Sequence, residues 1–261
     1  MPKRHNLRRI ILIIVALLAG LLVLGGVGFY AWATGGPGPL PVAVDALQPN
    51  AQVQISTDPW LVFRPASAAP LAGLVFYPGG RVDATAYAPQ AQAIAAEGYL
   101  VVIPPMPLDL AVFDPNVAGE VIAAFPEVQC WAVGGHSLGG SMAARYANQN
   151  RDQVEGLIFW ASYPAQSDDL SAADIVVVSI YGTQDGLADP ETVLASASLL
   201  PPDTTWVAIE GGNHAQFGWY GEQAGDNPAT ITPEDQMEQT VAATLDGLAQ
   251  VAGCGQTTAQ Q

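Results

Sequence analysis

The chain has 261 residues, half of them hydrophobic, and a formal net charge of −16. That length suits one core of catalytic size and is too short for two comfortable domains with linkers. Lys3, Arg4, Arg8 and Arg9 are four of the eight basic residues and all 24 acidic residues lie at or beyond Asp45, so the rest of the chain carries 4 − 24 = −20, which argues against a nucleic-acid partner.

In chain order, residues 1–9 form a basic N-terminus, and Ile10 to Phe29 contain only Ile, Leu, Val, Ala, Gly and Phe. Twenty such residues rise about 30 Å as a helix, the thickness of a bilayer core, which predicts a membrane anchor over 10–32. Positive charge before it and none directly after it predicts a single-pass protein in the cell membrane, N-terminus cytoplasmic and body extracytoplasmic. Ala31-Trp32-Ala33 resembles a signal-peptidase site, but signal cores run only about 7 to 15 apolar residues, so an uncleaved signal-anchor is the expectation. A Pro/Gly linker follows over 33–41 and a globular domain over 42–253, with a tail at 254–261.

VQIST and WLVFRP flank Asp58-Pro59 and read as an antiparallel pair. Six short apolar runs follow: Leu71–Pro78, Tyr99–Pro105, Cys130–Gly135, Val154–Ser162, Ile175–Gly182 and Thr205–Gly211. Each predicts a strand buried on both faces. Helix-like segments lie between and after them at 87–97, 116–125, 138–148, 190–199 and 233–252. The alternation predicts an α/β fold, a mostly parallel sheet with helices on both faces and the antiparallel pair at its leading edge.

Gly135-His136-Ser137-Leu138-Gly139 fits G-x-S-x-G where a strand turns directly into a helix. Small residues two before and two after the serine let strand and helix approach, and Ser137 Oγ is raised above the sheet as a nucleophile. The Leu138 amide, opening the helix, would stabilise an oxyanion. A serine needs a base, and beyond the predicted anchor the chain has two histidines. His136 adjoins Ser137 on a strand and should point away from it. His214, after the last strand, is therefore the expected base. Asp185, just past the strand IVVVSIYG, is the expected acid; Asp189 is the better helix cap, and Asp168 and Asp169 are the alternative acids. Gly79 and Gly80, after the first parallel strand, are expected to supply the second oxyanion donor. Arg81 would meet a substrate carboxylate or pair with a local acid such as Asp83.

YPGGRVDATAYAPQA, MPLDLA, GGHSLGG followed by MAARYA, SIYGTQDGLA and EGGNHAQFG together resemble the alpha/beta hydrolase fold-5 family, near the dienelactone-hydrolase and carboxylesterase groups, over roughly residues 70 to 240. The resemblance implies an alpha/beta-hydrolase fold and Ser137, Asp185 and His214 as its triad. Tyr77-Pro78 departs from the His-Gly of many esterases. The interval Tyr163–Asp174 is too short for a large cap, so an open site is expected. Phe217, Trp219 and Tyr220 would either wall the acyl or alcohol pocket or belong to the core. On this fold Cys130, at the start of its strand, and Cys254, at the end of the final helix, meet at the edge opposite the site, and a disulfide is expected. No metal or cofactor is expected: His136 and His214 lack ligand spacing, and the acidic stretch near Asp185 lacks an EF-hand pattern. The resulting expectation is a membrane-anchored serine hydrolase acting on small carboxylic esters through an acyl-enzyme. Thioester, lactone or lipid-ester cleavage by the same residues is the alternative, as is a catalytically silent binding protein on the same fold.

Overall fold

The computed structural model describes residues 3–254. The predicted tail beyond Cys254 and the first two residues lie outside the described residues. The chain divides into two compact units, one through Gly36 and one from Pro37 onward. The first is a single helix, α1 (Lys3–Thr34). Its Arg8–Thr34 portion has a mean hydropathy of 3.1 over its most apolar stretch, and none of that stretch is buried; this helix is long and apolar enough to cross a membrane. It runs to Thr34, two residues past the predicted end of the apolar segment.

The second unit is built on an eight-stranded sheet ordered β1-β2-β4-β3-β5-β6-β7-β8. Strands β1 (Val53–Ser56) and β2 (Leu61–Pro65) form the antiparallel edge, joined through a cis Asp58-Pro59 bond. β2 pairs antiparallel with β4 (Leu100–Ile103), and from β4 onward every pairing is parallel, through β3 (Gly73–Tyr77), β5 (Trp131–His136), β6 (Gly156–Trp160), β7 (Val176–Gly182) and β8 (Thr205–Ile209). The short helix α2 (Pro41–Asp45), which the sequence did not announce, opens with a proline whose fixed φ suits a first turn. The remaining helices are α3 (Ala88–Ala96), α4 (Val117–Ala124), α5 (Leu138–Gln149), α6 (Pro190–Ala195) and α7 (Pro233–Val251).

Two apolar layers sandwich the sheet. One face packs Leu74, Phe76, Ile158, Trp160 and Ile180 against Ile94 of α3 and Val241, Leu248 and Val251 of α7. The other packs Val75, Val133, Leu157 and Phe159 against Val121 of α4 and Met142 and Ala143 of α5. Strands β3, β5 and β6 are buried along their whole length, as near-continuous apolar runs require when both faces are covered. The last strand is a correction: only Ile209 of β8 is buried, and Thr205 and Ala208 are exposed, because this strand closes the edge of the sheet. Between β6 and β7 there is no helix, so no cap covers the sheet's carboxyl edge from that interval.

The chain reverses its direction across the sheet between β3 and β5, whose registers bring Tyr77 opposite Gly135. Loops leaving two neighbouring strands on either side of such a reversal open a crevice at their carboxyl ends. The loops after β3, β5, β7 and β8 carry Gly79–Gly80, Ser137, Asp185 and His214 respectively, all at that one edge.

Candidate active site

Ser137 stands between the last residue of β5 and the first of α5 with φ 52° and ψ −124°, a conformation that L-residues rarely adopt. Its amide donates to Trp160 O (3.0 Å), its carbonyl accepts from Ser162 Oγ (2.6 Å) and from the Ser141 amide (3.3 Å), and its side chain is half-buried. The strained turn is thus pinned to β6 on one side and to the first turn of α5 on the other. The glycines around it are required by contact: a Cβ on Gly135 would lie 2.6 Å from Tyr77 O, and one on Gly139 would collide with the carbonyl oxygens of Tyr77 and Pro78.

Asp185 and His214 form a buried pair. His214 Nδ1 lies 2.8 Å from Asp185 Oδ2, with the two side chains 2% and 0% exposed. The other carboxylate oxygen, Oδ1, accepts from the amides of Leu187 (2.8 Å) and Ala188 (2.7 Å), so Asp185 has its lone pairs occupied on both sides and its orientation fixed. Such an acceptor holds the His214 proton on Nδ1 and directs Nε2 outward. Asp189 caps α6, accepting from the Thr192 amide at 2.9 Å. Asp168 is buried on the loop after β6 and Asp169 accepts from the Ser171 amide; neither is hydrogen-bonded to His214.

His136 faces the interior, 1% exposed. Its Nδ1 lies 2.9 Å from the Tyr87 hydroxyl, which itself accepts the Gly79 amide at 3.0 Å. The hydroxyl therefore bridges Gly79 and Nδ1, while His136 Nε2 is buried without a hydrogen bond. The His136 ring centroid is 4.5 Å from that of His214 and 5.8 Å from that of Phe217. Burial first, and the neighbouring His214 imidazole second, hold His136 well below the ordinary imidazole range, with the nearby His214 backbone opposing. His136 is therefore a neutral, packed residue beside His214.

Of the amides expected to hold an oxyanion, that of Gly79 donates to the Tyr87 hydroxyl, and those of Gly80 and Leu138 remain candidates. A Cβ on Gly80 would sit 3.0 Å from Leu138 Cδ2, so these two residues are immediate neighbours, and neither amide has a protein acceptor among the described residues. Arg81, next in the loop, has φ 63° and donates its amide to Asp109 O (2.7 Å). Burial, and then Asp83, raise the Asp109 carboxyl above its usual range.

Of the three aromatic residues expected to wall a substrate pocket or fill the core, Phe217 and Tyr220 belong to the core, whereas Trp219 lines a cavity with Asn213, Ala215 and Gln216. Phe217 is fully buried between His136 and Trp160, Tyr220 is 3% exposed, and Trp219 is 9% exposed. Tyr220 donates to Gln223 Oε1 at 2.9 Å, and the Trp219 amide ties to Ala86 O at 2.7 Å. The rings of Phe217 and Tyr220 lie 5.8 and 6.3 Å from that of His136.

Sequence reasoning missed Tyr87, Ser162, Gln236 and Asp226. Gln236 of α7 is fully buried; its Oε1 accepts the Asn213 amide (3.0 Å) and its Nε2 donates to Asn213 O (2.8 Å), fixing the residue before His214. Its only sequence signal was a polar side chain on the buried face of an amphipathic helix. Cys130 and Cys254 are joined, with Cα atoms 6.1 Å apart, at the edge opposite this site. Among the described residues no cluster of His, Cys, Asp and Glu has a metal-binding arrangement.

A family profile described as the alpha/beta hydrolase family matches residues 73–238. No curated protein matches the chain. The solved structures that share its fold include two esterases. The esterase domain of a Rhodothermus marinus protein has a TM-score of 0.57 and 12% identity, covering 74% of this chain and 93% of its own. A thermophilic esterase from Thermogutta terrifontis, solved with malate bound, has a TM-score of 0.54 and 14% identity, covering 78% of this chain and 100% of its own. The match over residues 73–238 takes in the elbow serine, the buried Asp-His pair and the strands that carry them, and the chain belongs to the alpha/beta hydrolase family.

Proposed function

We propose that the protein is a membrane-anchored serine hydrolase that cleaves small carboxylic esters outside the cytoplasm. The observation that carries this reading is the buried Asp185–His214 pair, 2.8 Å apart, on the same sheet edge as the strained turn that raises Ser137. Two of the solved structures that share the fold are esterases, which supports ester hydrolysis within the family.

In this mechanism His214 Nε2 takes the proton of Ser137 Oγ as the oxygen attacks the ester carbonyl. Asp185 stabilises the imidazolium that forms, and the amides of Gly80 and Leu138 hold the oxyanion. The tetrahedral intermediate collapses with the alkoxide leaving as it receives the His214 proton, giving an acyl-Ser137. Water, deprotonated by His214, then releases the carboxylic acid and regenerates the serine.

Membrane attachment rests on α1 and on the basic residues that precede its apolar stretch, Arg8 and Arg9 among them. A fluorophosphonate probe tests the chemistry: wild type should be labelled at Ser137 and Ser137→Ala should not. Equal labelling of the two, or full esterase activity in His214→Ala, overturns the proposal.

A further inference from the structure

We propose that Asp226 is a positioning residue that sets the distance between the catalytic acid and base by tying together the backbone directly behind each of them; this rests on the proposed roles of Asp185 and His214. Asp226 lies on the long loop between β8 and α7, 12 residues beyond His214 and 41 beyond Asp185 in the chain. Its Oδ1 accepts the amide of Gly186, the residue after Asp185, at 2.9 Å, and the amide of Asn227 at 2.9 Å. Its Oδ2 accepts the amide of Ala215, the residue after His214, at 2.8 Å. One carboxylate thus bridges the two loops that carry the pair, without touching either reacting side chain.

The surrounding chain is shaped to bring that carboxylate in. Gly225 has φ 92°, a conformation that favours glycine, and delivers Asp226 to the gap. Gly186 is met so closely that a Cβ there would lie 2.9 Å from the Asn227 nitrogen and 3.0 Å from Gly225 O. Asn213, before His214, donates from Nδ2 to Asn227 O at 2.7 Å, so the residue after Asp226 is bound to the residue before the histidine. Residues 213 to 215 are consequently held from both ends, by Gln236 and Asn227 at Asn213 and by Asp226 at Ala215.

The chemistry of the site calls for a carboxylate. Three N–H donors converge on two oxygens, and each oxygen receives at least one. Asparagine has the same shape but one acceptor oxygen, so either orientation of its amide places N–H against N–H and releases one of the two loops. Glutamate keeps both acceptors and the charge but is a methylene too long for the gap.

The test compares Asp226→Asn, Asp226→Glu and Asp189→Asn in the full chain in detergent, with rates of hydrolysis of a short-chain p-nitrophenyl ester normalised to active sites titrated with a fluorophosphonate. Asp189→Asn is the control: it removes a helix cap four residues beyond Asp185 and should leave kcat unchanged. A lost tie displaces the pair by a fraction of an ångström or more, and kcat should fall about tenfold to a hundredfold in both Asp226 variants with KM changed by less than about twofold. The low-field proton resonance of His214 Nδ1 should broaden or shift upfield in both variants and stay in place in Asp189→Asn. A wild-type kcat per site with an unmoved resonance in either folded Asp226 variant overturns the inference. The resonance needs no nucleophile, so it judges the tie even if Ser137→Ala shows that a different residue attacks the ester.

Discussion

Tyr87 joins the glycine loop after β3 to His136: its hydroxyl accepts the Gly79 amide at 3.0 Å and lies in hydrogen-bond contact with His136 Nδ1 at 2.9 Å, all inside the core. One side chain at the start of α3 thereby fixes the loop that presents Gly80 and the imidazole that underlies His214. Tyr87→Phe keeps the ring that packs on Phe76 at 5.1 Å and removes only the hydroxyl. It leaves two buried polar groups, the Gly79 N–H and His136 Nδ1, without their partner, each costing about 1–3 kcal/mol. Urea unfolding should show a loss of about 2–6 kcal/mol, and kcat should fall with it because Gly80 follows directly from the released Gly79.

His136 makes stability depend on pH in a defined direction. In the folded protein it stays neutral well below its ordinary value of 6.5, because burial and the adjacent His214 disfavour the cation. Below about pH 6.5 the unfolded chain takes up a proton that the folded chain refuses, so unfolding is favoured by about 1.4 kcal/mol for each further pH unit until the folded His136 also protonates. Above that pH the group is neutral in both states and the contribution is constant. Subtracting the stability of His136→Gln from that of wild type across pH 4.5 to 8 should give a difference that is flat above about 6.5 and declines below it. A parallel pair of curves across the whole range would contradict the assignment.

The same residues show what a sequence can and cannot reveal about this protein. G-x-S-x-G between an apolar strand and a helix named Ser137 because the strained turn demands small neighbours, and those contacts recur at Gly135 and Gly139. Alternation of apolar runs with helical segments indicated the sheet and the edge at which the loops gather. The missed supports were invisible for a physical reason. Tyr87 acts on a backbone amide 8 residues away, and Asp226 and Gln236 on amides 11 to 40 residues away, at separations that no motif announces; only Gln236 left a trace, as a polar side chain on a buried helix face. Gly79 and Gly80 look equivalent as a pair, and only the position of the Tyr87 hydroxyl separates them. β8 reads as buried from its apolar run, yet an edge strand has one neighbour and keeps one side open.

The Cys130–Cys254 link closes the chain over 124 residues and fastens the end of α7 to the strand that leads to Ser137. In the chain-entropy description a loop of that size restricts the unfolded chain by about 4 to 5 kcal/mol. The double variant Cys130→Ser with Cys254→Ser should unfold at lower urea and lower temperature, and the wild type should acquire the same midpoint when reduced. Activity at low temperature should be retained, since the link lies at the edge opposite Asp185 and His214. A mass measurement without reductant that finds two free thiols would reject the link.

Gly139 tests the close approach of α5 to β3 that lets the elbow form. A methyl group there meets the carbonyl oxygens of Tyr77 and Pro78, which are backbone atoms and cannot swing aside as a flexible side chain would. Gly139→Ala must therefore push the helix from the strand or the strand from the sheet, and overpacking of this kind costs about 1–3 kcal/mol. The displaced segment leads directly into Gly79 and Gly80, and the displaced helix begins with Leu138, so the two proposed oxyanion donors, Gly80 and Leu138, move apart. Gly139→Ala should lose stability in urea unfolding and lose more in kcat/KM than its stability deficit accounts for at temperatures where it stays folded. Gly38→Ala, where an added Cβ would meet nothing within 4 Å beyond its chain neighbours, should change neither quantity. If Gly139→Ala keeps wild-type kcat/KM, the Leu138 and Gly80 amides do not act together on the oxyanion.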